Sequence, residues 1–141
     1  MRKSRSAGLV IDVQHEAILV IKRHFRGKDY ASLPGGKIVP DETPEEACIR
    51  ELYEETGLTV TLKQKIMVMV NLDRQEHYFL IDQYSGTLAL GGPEKERQNA
   101  ENSYDPQWIP IEKVEEINLL PLRIRPVCRE YLVKLKTGQA K

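Results

Sequence analysis

The stretch Leu33-Pro34-Gly35-Gly36-Lys37-Ile38, together with Thr43-Pro44-Glu45-Glu46-Ala47-Cys48-Ile49-Arg50-Glu51-Leu52-Tyr53-Glu54-Glu55-Thr56-Gly57-Leu58, decides how this chain is read. Its second part predicts a helix from about Pro44 to Thr56. Thr43 stands at the N-cap, Pro44 at the first helical position, and Glu46 completes a capping box. Gly57 supplies the stop. On a helix of ~3.6 residues per turn, Glu51, Glu54 and Glu55 share one arc of about 100°. Cys48, Ile49, Leu52, Tyr53 and Thr56 occupy the arc expected to face a core, and small Ala47 leaves room beside the carboxylates. Like charges three and four residues apart repel by roughly 0.2–0.5 kcal/mol per pair. Within the helix only Arg50 offsets them, and it is placed to bridge to Glu54 four residues on. Crowded carboxylates are tolerated best beside a divalent cation, and hard oxygen ligands suit magnesium or manganese. The bland alternative is a solvated acidic face. Gly35-Gly36 weighs against it, because backbone without side chains approaches a ligand closely and offers a carbonyl to a metal.

Outward from this segment, the pattern predicts a mixed fold. Ala7 to Val13 and Ala17 to Lys22 read as hairpin strands around Gln14-His15-Glu16. Arg23 to Ser32 reads as a polar, basic loop. Leu58 to Asn71 and His77 to Tyr84 read as two strands, with Thr87 to Leu90 as a further short one. Gly91 to Asp105 reads as a long polar loop and a candidate functional segment. Gln107 to Ile111 is expected as a last strand, Val114 to Ile117 as a helical turn, and Leu122 to Lys136 as a closing helix. Strands and helices mix without regular alternation, which favours an α+β or mixed-sheet sandwich over a Rossmann-like arrangement.

With 141 residues, one domain spanning 1–141 is expected. The formal net charge of +0 argues against a general nucleic-acid or membrane-surface binder. No apolar run approaches the ~20 residues that span a bilayer, and the basic start leads into a strand containing Asp12 instead of a signal segment. A cytoplasmic protein is the default. Cys48 and Cys128 form no metal-ligand pattern and read as reduced packing residues.

Gly36, Glu42, Arg50, Glu51, Leu52, Glu54, Glu55, Gly57 and Leu58 match the Nudix box, G-x5-E-x7-R-E-U-x-E-E-x-G-U with U aliphatic, at every specified position. A match by composition alone has a chance of about 10⁻⁷. The chain therefore resembles the Nudix hydrolases, and the upstream hairpin, the Leu-Pro-Gly-Gly lead-in and Trp108-Ile109-Pro110 before a helix extend the likeness. The resemblance implies an α/β/α sandwich with a mixed sheet between helices. It implies metal-dependent cleavage of a nucleoside diphosphate linked to a group X, with Mg2+, or Mn2+, as cofactor. It also implies that Glu51, Glu54, Glu55 and the Gly35 carbonyl hold metal, that Arg50 orients a box glutamate, and that Gly36, Glu42 and Gly57 support the loop–helix geometry. Glu54 and Glu55 are the expected closest ligands, with Glu51 a shared ligand or general base. Glu94, Glu96 and Glu101 are further candidates for the base.

On the substrate side, Lys22, Arg23, His24, Arg26 and Lys28 form a basic stretch, of which Arg23 and Arg26 are candidates to grip phosphates. Phe25, Tyr30, Tyr78 and Trp108 are candidate stacking surfaces. Met67 and Met69 alternate as core residues, and nothing converges on His15 or His77 as ligands. A modified nucleoside triphosphate is the first substrate choice. ADP-ribose, a dinucleoside polyphosphate, or a non-catalytic domain binding a nucleotide or protein partner are the alternatives. The resemblance admits a homodimer; neutral charge offers no extended nucleic-acid surface.

Overall fold

In the computed structural model, residues 4–71, 73–89, 99 and 101–140 are described. Strand β1 (Arg5–Asp12) is buried on both faces, which is why it reads as an almost continuous apolar run. Leu9 and Ile11 point to one face and Val10 to the other. The same alternation recurs in β2 (Ala17–Phe25), and in β7 (Arg74–Ile81) with Tyr78 and Leu80 on one side and Phe79 and Ile81 on the other. Helix α1 (Pro44–Thr56) covers one face with Cys48 and Leu52. Helix α2 (Ile124–Lys136) covers the opposite face with Ile124, Val127, Cys128, Tyr131 and Leu132. The result is the expected α/β/α sandwich.

The sheet has eight strands in the order β10-β3-β2-β1-β7-β6, with β4 paired to β1 and β9 to β2. These additional strands are β3 (Lys28–Ser32), β4 (Gly35–Lys37), β6 (Gln64–Asn71), β9 (Asn102–Pro110) and β10 (Leu119–Leu120). β1 runs parallel to β7 and antiparallel to β2 and β4, so the sheet is mixed. β5 (Thr59–Thr61) and β8 (Gln83–Ser85) form a separate ribbon. One edge of β1 serves two partners: Arg5, Ser6 and Ala7 pair with β4, whereas Ile11 and Asp12 pair with β2. The sheet therefore forks at β1, and the gap between β4 and the end of β2 opens beside α1.

Helix α1 has the bounds its caps dictate. The Thr43 hydroxyl accepts from Glu46 N–H and the Glu46 carboxylate accepts from Thr43 N–H, while Gly57 closes the helix at φ 79°. Each such cap contributes about 1 kcal/mol. The facing of α1 differs from expectation. Ile49 and Tyr53 are 40% and 60% exposed, and the buried arc instead runs through Ala47, Cys48, Glu51, Leu52, Glu55 and Thr56. The helix is rotated so that two box carboxylates face inward against β4, which requires compensating partners.

Other departures have local causes. Arg23 to Ser32 is no loop: β2 continues to Phe25 and β3 returns from Lys28, joined at Arg26 and Gly27 with φ 51° and 77°. Backbone pairing with β9 along the whole of β2 holds this polar hairpin, so apolar alternation is not needed. Leu58 to Asn71 is divided into β5 and β6. β7 begins at Arg74, three residues before the expected start, and β9 begins at Asn102, inside the predicted loop. Thr87 to Ala89 form no strand. Leu90 and most of the predicted loop, from 91 to 98 and residue 100, lie outside the described residues. The helical turn falls at Ile111–Lys113, before its expected place, and the closing helix starts at Ile124. Met69 is buried and Met67 packs against the same cluster. Cys48 and Cys128 are free and buried in the two separate clusters; burial pushes each thiol up to about 12, as inert packing residues require.

Candidate active site

The site begins with two glycines that let three elements close together. A Cβ on Gly35 would collide with the Ser6 carbonyl and Ala7 Cα of β1, and one on Gly36 would occupy the place of the Glu51 carboxylate. β4 thus sits against β1 on one side and against the acidic flank of α1 on the other. Gly35 N–H donates to Glu55 Oε1 at 2.8 Å. The closeness read from Gly35-Gly36 is accordingly an approach to β1 and to Glu51.

Arg50 ties this assembly. Its Nε and Nη2 donate to Glu42 Oε2 and Oε1 at 2.7 and 3.0 Å, and its Nη1 donates to Glu51 Oε2 at 3.0 Å and Glu54 Oε1 at 3.3 Å. Nη2 also reaches the Lys37 carbonyl at 3.0 Å, while Glu42 Oε1 accepts from Val39 N–H at 3.1 Å. A planar fork suits this bridging; a point charge does not. The bond from Arg50 holds the Glu42 carboxyl below its ordinary range, and Glu42 in turn raises the guanidinium pKa. Glu42 fixes the loop before α1, whereas Glu51 and Glu55, 8% and 6% exposed, stay close to β4.

Arg50, Glu51, Glu54 and Glu55 line one wall of a cleft of about 420 Å³, with Gly35, Gly36 and Lys37 along β4. Arg5, Arg23, Ser32 and Tyr104 complete its lining. Arg5, Arg23 and Ser32 also border a second cleft of similar volume, walled by Tyr30, Leu33, Leu120 and Pro121 and floored by Glu76 and Tyr78. There Glu76 accepts from Arg74 Nη2 at 2.8 Å and from the Tyr78 hydroxyl at 3.0 Å. Burial first, then the Glu76 charge, raises the Tyr78 pKa, so the phenol stays neutral and donating.

The donor set along α1 and β4 is all oxygen and anionic, which fits a hard divalent cation. Among the described residues no three such side chains already converge as a cage. Arg50 holds Glu51 and Glu54, and Gly35 N–H holds Glu55, so metal binding requires small carboxylate rotations against these hydrogen bonds.

Most sequence candidates come together. Gly35, Gly36, Arg50, Glu51, Glu54, Glu55 and Arg23 share the first cleft, and Tyr30 and Tyr78 border the second. Glu42 stands behind Arg50, and Gly57 is the helix cap. Tyr78 is too enclosed to stack, being 3% exposed. Trp108 packs on Tyr84 with ring centroids 5.3 Å apart, and Phe25 stands at the β2–β3 hairpin. Arg26 and Glu101 line neither cleft; Arg26 N–H donates to the Glu101 carbonyl at the hairpin tip, 3.0 Å away. Glu94 and Glu96 lie outside the described residues. Sequence reasoning missed Arg5, Ser32, Arg74, Glu76 and Tyr104. Of these, only Arg5 carried a local signal, as a base entering the first strand.

The mixed sheet between two helices is a fold shared with solved structures. A NUDIX domain profile matches residues 2–131, and the chain belongs to the Nudix hydrolase family. It is 27% identical over 144 residues to diphosphoinositol polyphosphate phosphohydrolase 2 of Mus musculus, covering 96% of this chain and 72% of that one. It is 32% identical over 95 residues to ADP-ribose pyrophosphatase of Methanocaldococcus jannaschii, covering 63% and 56%. Among solved structures it shares its fold with a MutT structure from a study of the Aliivibrio salmonicida and Vibrio cholerae proteins. The TM-score there is 0.74 at 22% identity, over 95% of this chain and 99% of that one. A NUDIX-family hydrolase from Clostridium perfringens gives 0.73 at 22%, over 96% and 99%. The protein is thus a hydrolase of the pyrophosphohydrolase kind, from a family that generally uses divalent metal ions and acts on small molecules. Among the described residues no helix is long and apolar enough to cross a membrane.

Proposed function

We propose that this protein is a magnesium-dependent pyrophosphohydrolase that cleaves the diphosphate linkage of a nucleoside diphosphate-X substrate, a modified nucleoside triphosphate being the first choice. The observation that carries this reading is that Glu51, Glu54 and Glu55 share the lining of one cleft with Arg5 and Arg23. A diphosphate is a dense anion that the carboxylates alone would repel. A divalent cation held by those carboxylates and the Gly35 carbonyl supplies charge neutralisation and an acidified water. The chain's own part is to hold the anion and move a proton. Arg5 and Arg23 meet the phosphate oxygens, and Arg50 keeps Glu51 and Glu54 aimed through its two hydrogen bonds. Glu54, held among the described residues by the 3.3 Å contact to Arg50 alone, is the carboxylate best able to turn and accept a proton from water. The second cleft takes the group X.

The test is phosphate or pyrophosphate release from a panel of canonical and oxidised nucleoside triphosphates, ADP-ribose and dinucleoside polyphosphates. Activity should require Mg2+ and stop with EDTA. Glu54→Gln and Glu55→Gln should each lower turnover by roughly 10²-fold or more with an unchanged melting temperature. Near-wild-type turnover in either variant refutes the assignment, and no activity across the panel favours a non-catalytic binder. A second reading has its own support. Arg5, Arg23 and Arg74 all border the second cleft against the single carboxylate Glu76, an excess of positive charge that suits an anionic X. The inositol-directed relative points the same way. A diphosphoinositol polyphosphate therefore belongs in the panel.

A further inference from the structure

Arg23 is one of three residues, with Arg5 and Ser32, that border both clefts, and its setting is unusual for a surface cation. It lies in a cross-strand row: Tyr30 of β3 is its register partner on one side and Tyr104 of β9 on the other. The guanidinium carbon is 3.8 Å from the Tyr104 ring centroid and 5.7 Å from that of Tyr30. Its Nε donates to the Ser103 carbonyl at 3.1 Å and its Nη2 to Asn102 Oδ1 at 2.6 Å. Among the described residues these are all of its hydrogen bonds, and Nη1 makes none of them. A free arginine side chain sacrifices much rotamer entropy when it grips an anion. Here β9 has already immobilised it: two hydrogen bonds fix the rotation of the fork, and the ring beneath fixes its plane.

We infer that Asn102 and Tyr104 are positioning residues that hold the Arg23 guanidinium, with its Nη1 edge presented to the cleft, as a preorganised phosphate clamp. The inference rests on the pyrophosphohydrolase reading for the ligand's chemistry and adds two residues that neither the box nor the basic stretch contains. It also gives a purpose to the start of β9, whose polar residues resemble a loop in sequence.

The experiment is calorimetric binding of methylenediphosphonate, an uncleavable diphosphate isostere, in excess Mg2+ to the full chain. Arg23→Ala, Tyr104→Leu and Asn102→Ala should each weaken binding by roughly tenfold. Tyr104→Phe, which keeps the ring, should bind more tightly than Tyr104→Leu. In an Arg23→Ala background, Tyr104→Leu and Asn102→Ala should cause no further loss, because residues acting through Arg23 have nothing left to position. A full additional loss in that background, equal failure of Tyr104→Phe and Tyr104→Leu, or no binding by the wild type overturns the inference. Binding that follows the cycle in a protein that cleaves nothing in the substrate panel upholds the clamp and overturns the hydrolase reading alone.

Discussion

Gly36→Ala is the smallest change that should separate fold from chemistry. Gly36 is not in the left-handed region of backbone space, so alanine adds no intrinsic strain there. The three atoms its Cβ would strike are all in the Glu51 carboxyl group. That group ends a side chain with rotatable bonds, so the clash is relieved by turning Glu51 away from β4 and not by moving the backbone. Turning it breaks the 3.0 Å bond to Arg50 Nη1, a charge-assisted interaction whose loss costs roughly 1.5–3 kcal/mol before water compensates. Arg50 keeps its two bonds to Glu42 and its bond to the Lys37 carbonyl, so the loop before α1 stays tied. The expected stability loss is therefore about 1 kcal/mol, near the middle of the range for point substitutions. The effect on metal binding should be larger, since one of three carboxylates loses its aim; losing only a hydrogen bond that orients a metal ligand costs roughly 10–100-fold in metal affinity. The assay is a Mn2+ titration followed by electron paramagnetic resonance, with thermal melts in parallel. Gly35→Ala is the control, because its Cβ meets β1 backbone that has nowhere to go; it should lower the melting temperature far more than Gly36→Ala does. Wild-type Mn2+ affinity in folded Gly36→Ala would refute the role assigned to Glu51.

Two further outcomes follow from side-chain geometry. Arg50→Lys keeps the charge but cannot contact Glu42, Glu51 and Glu54 together; it should lower the unfolding free energy by about 1–3 kcal/mol and reduce turnover, read by urea unfolding and Mg2+-dependent assay. Full stability in that variant would mean the observed fork contributes nothing. His77 is buried on β7, with Nδ1 unpartnered among the described residues, and its pKa is drawn below 6.5, by desolvation first and then by Lys65, with Glu45 opposing. The unfolded chain therefore binds the proton more readily, so this contribution to stability is complete above pH 6.5 and is lost as pH falls toward the lowered folded value. Urea midpoints should decline from pH 7.5 to about 5.5 in the wild type, and His77→Phe should flatten that part of the profile. An equally steep decline in the variant would assign the slope to other groups.

The acidic wall of the cleft was legible because its parts are local. Thr43, Pro44, Glu46 and Gly57 set the helix, and the spacing of Glu51, Glu54 and Glu55 placed them together before any tertiary contact was known. Even so, the wheel turned the helix the wrong way. Apolar Ile49 and Tyr53 were assigned to the core, whereas Glu51 and Glu55 hold that position, because Arg50 and the Gly35 amide satisfy charges that a hydropathy pattern counts as outward-facing. Hydropathy sees the cost of burying a carboxylate and not the partner that offsets it.

Beyond Arg23, the rest of the cleft lining was not legible, for a different physical reason. Arg5, Arg23 and Tyr104 come from β1, β2 and β9, Arg74 of the adjoining cleft comes from β7, and only strand register makes them neighbours. Arg5 is level with Glu76, and Arg23 with Tyr30 and Tyr104, through pairings that join residues as much as 81 positions apart, from 23 to 104. No spacing rule along the chain encodes such pairs. A shift of β9 by one residue would present Ser103 or Asp105 to Arg23 in place of Tyr104 and turn the ring to the other face. The placement of Tyr104 on Arg23 is thus coupled to the register of β9 against β2, which the Ile109, Trp108 and Ile111 end of that segment anchors in two different cores. The helix that carries the candidate metal ligands is fixed by local caps, and the candidate substrate-binding residues are fixed by long-range packing.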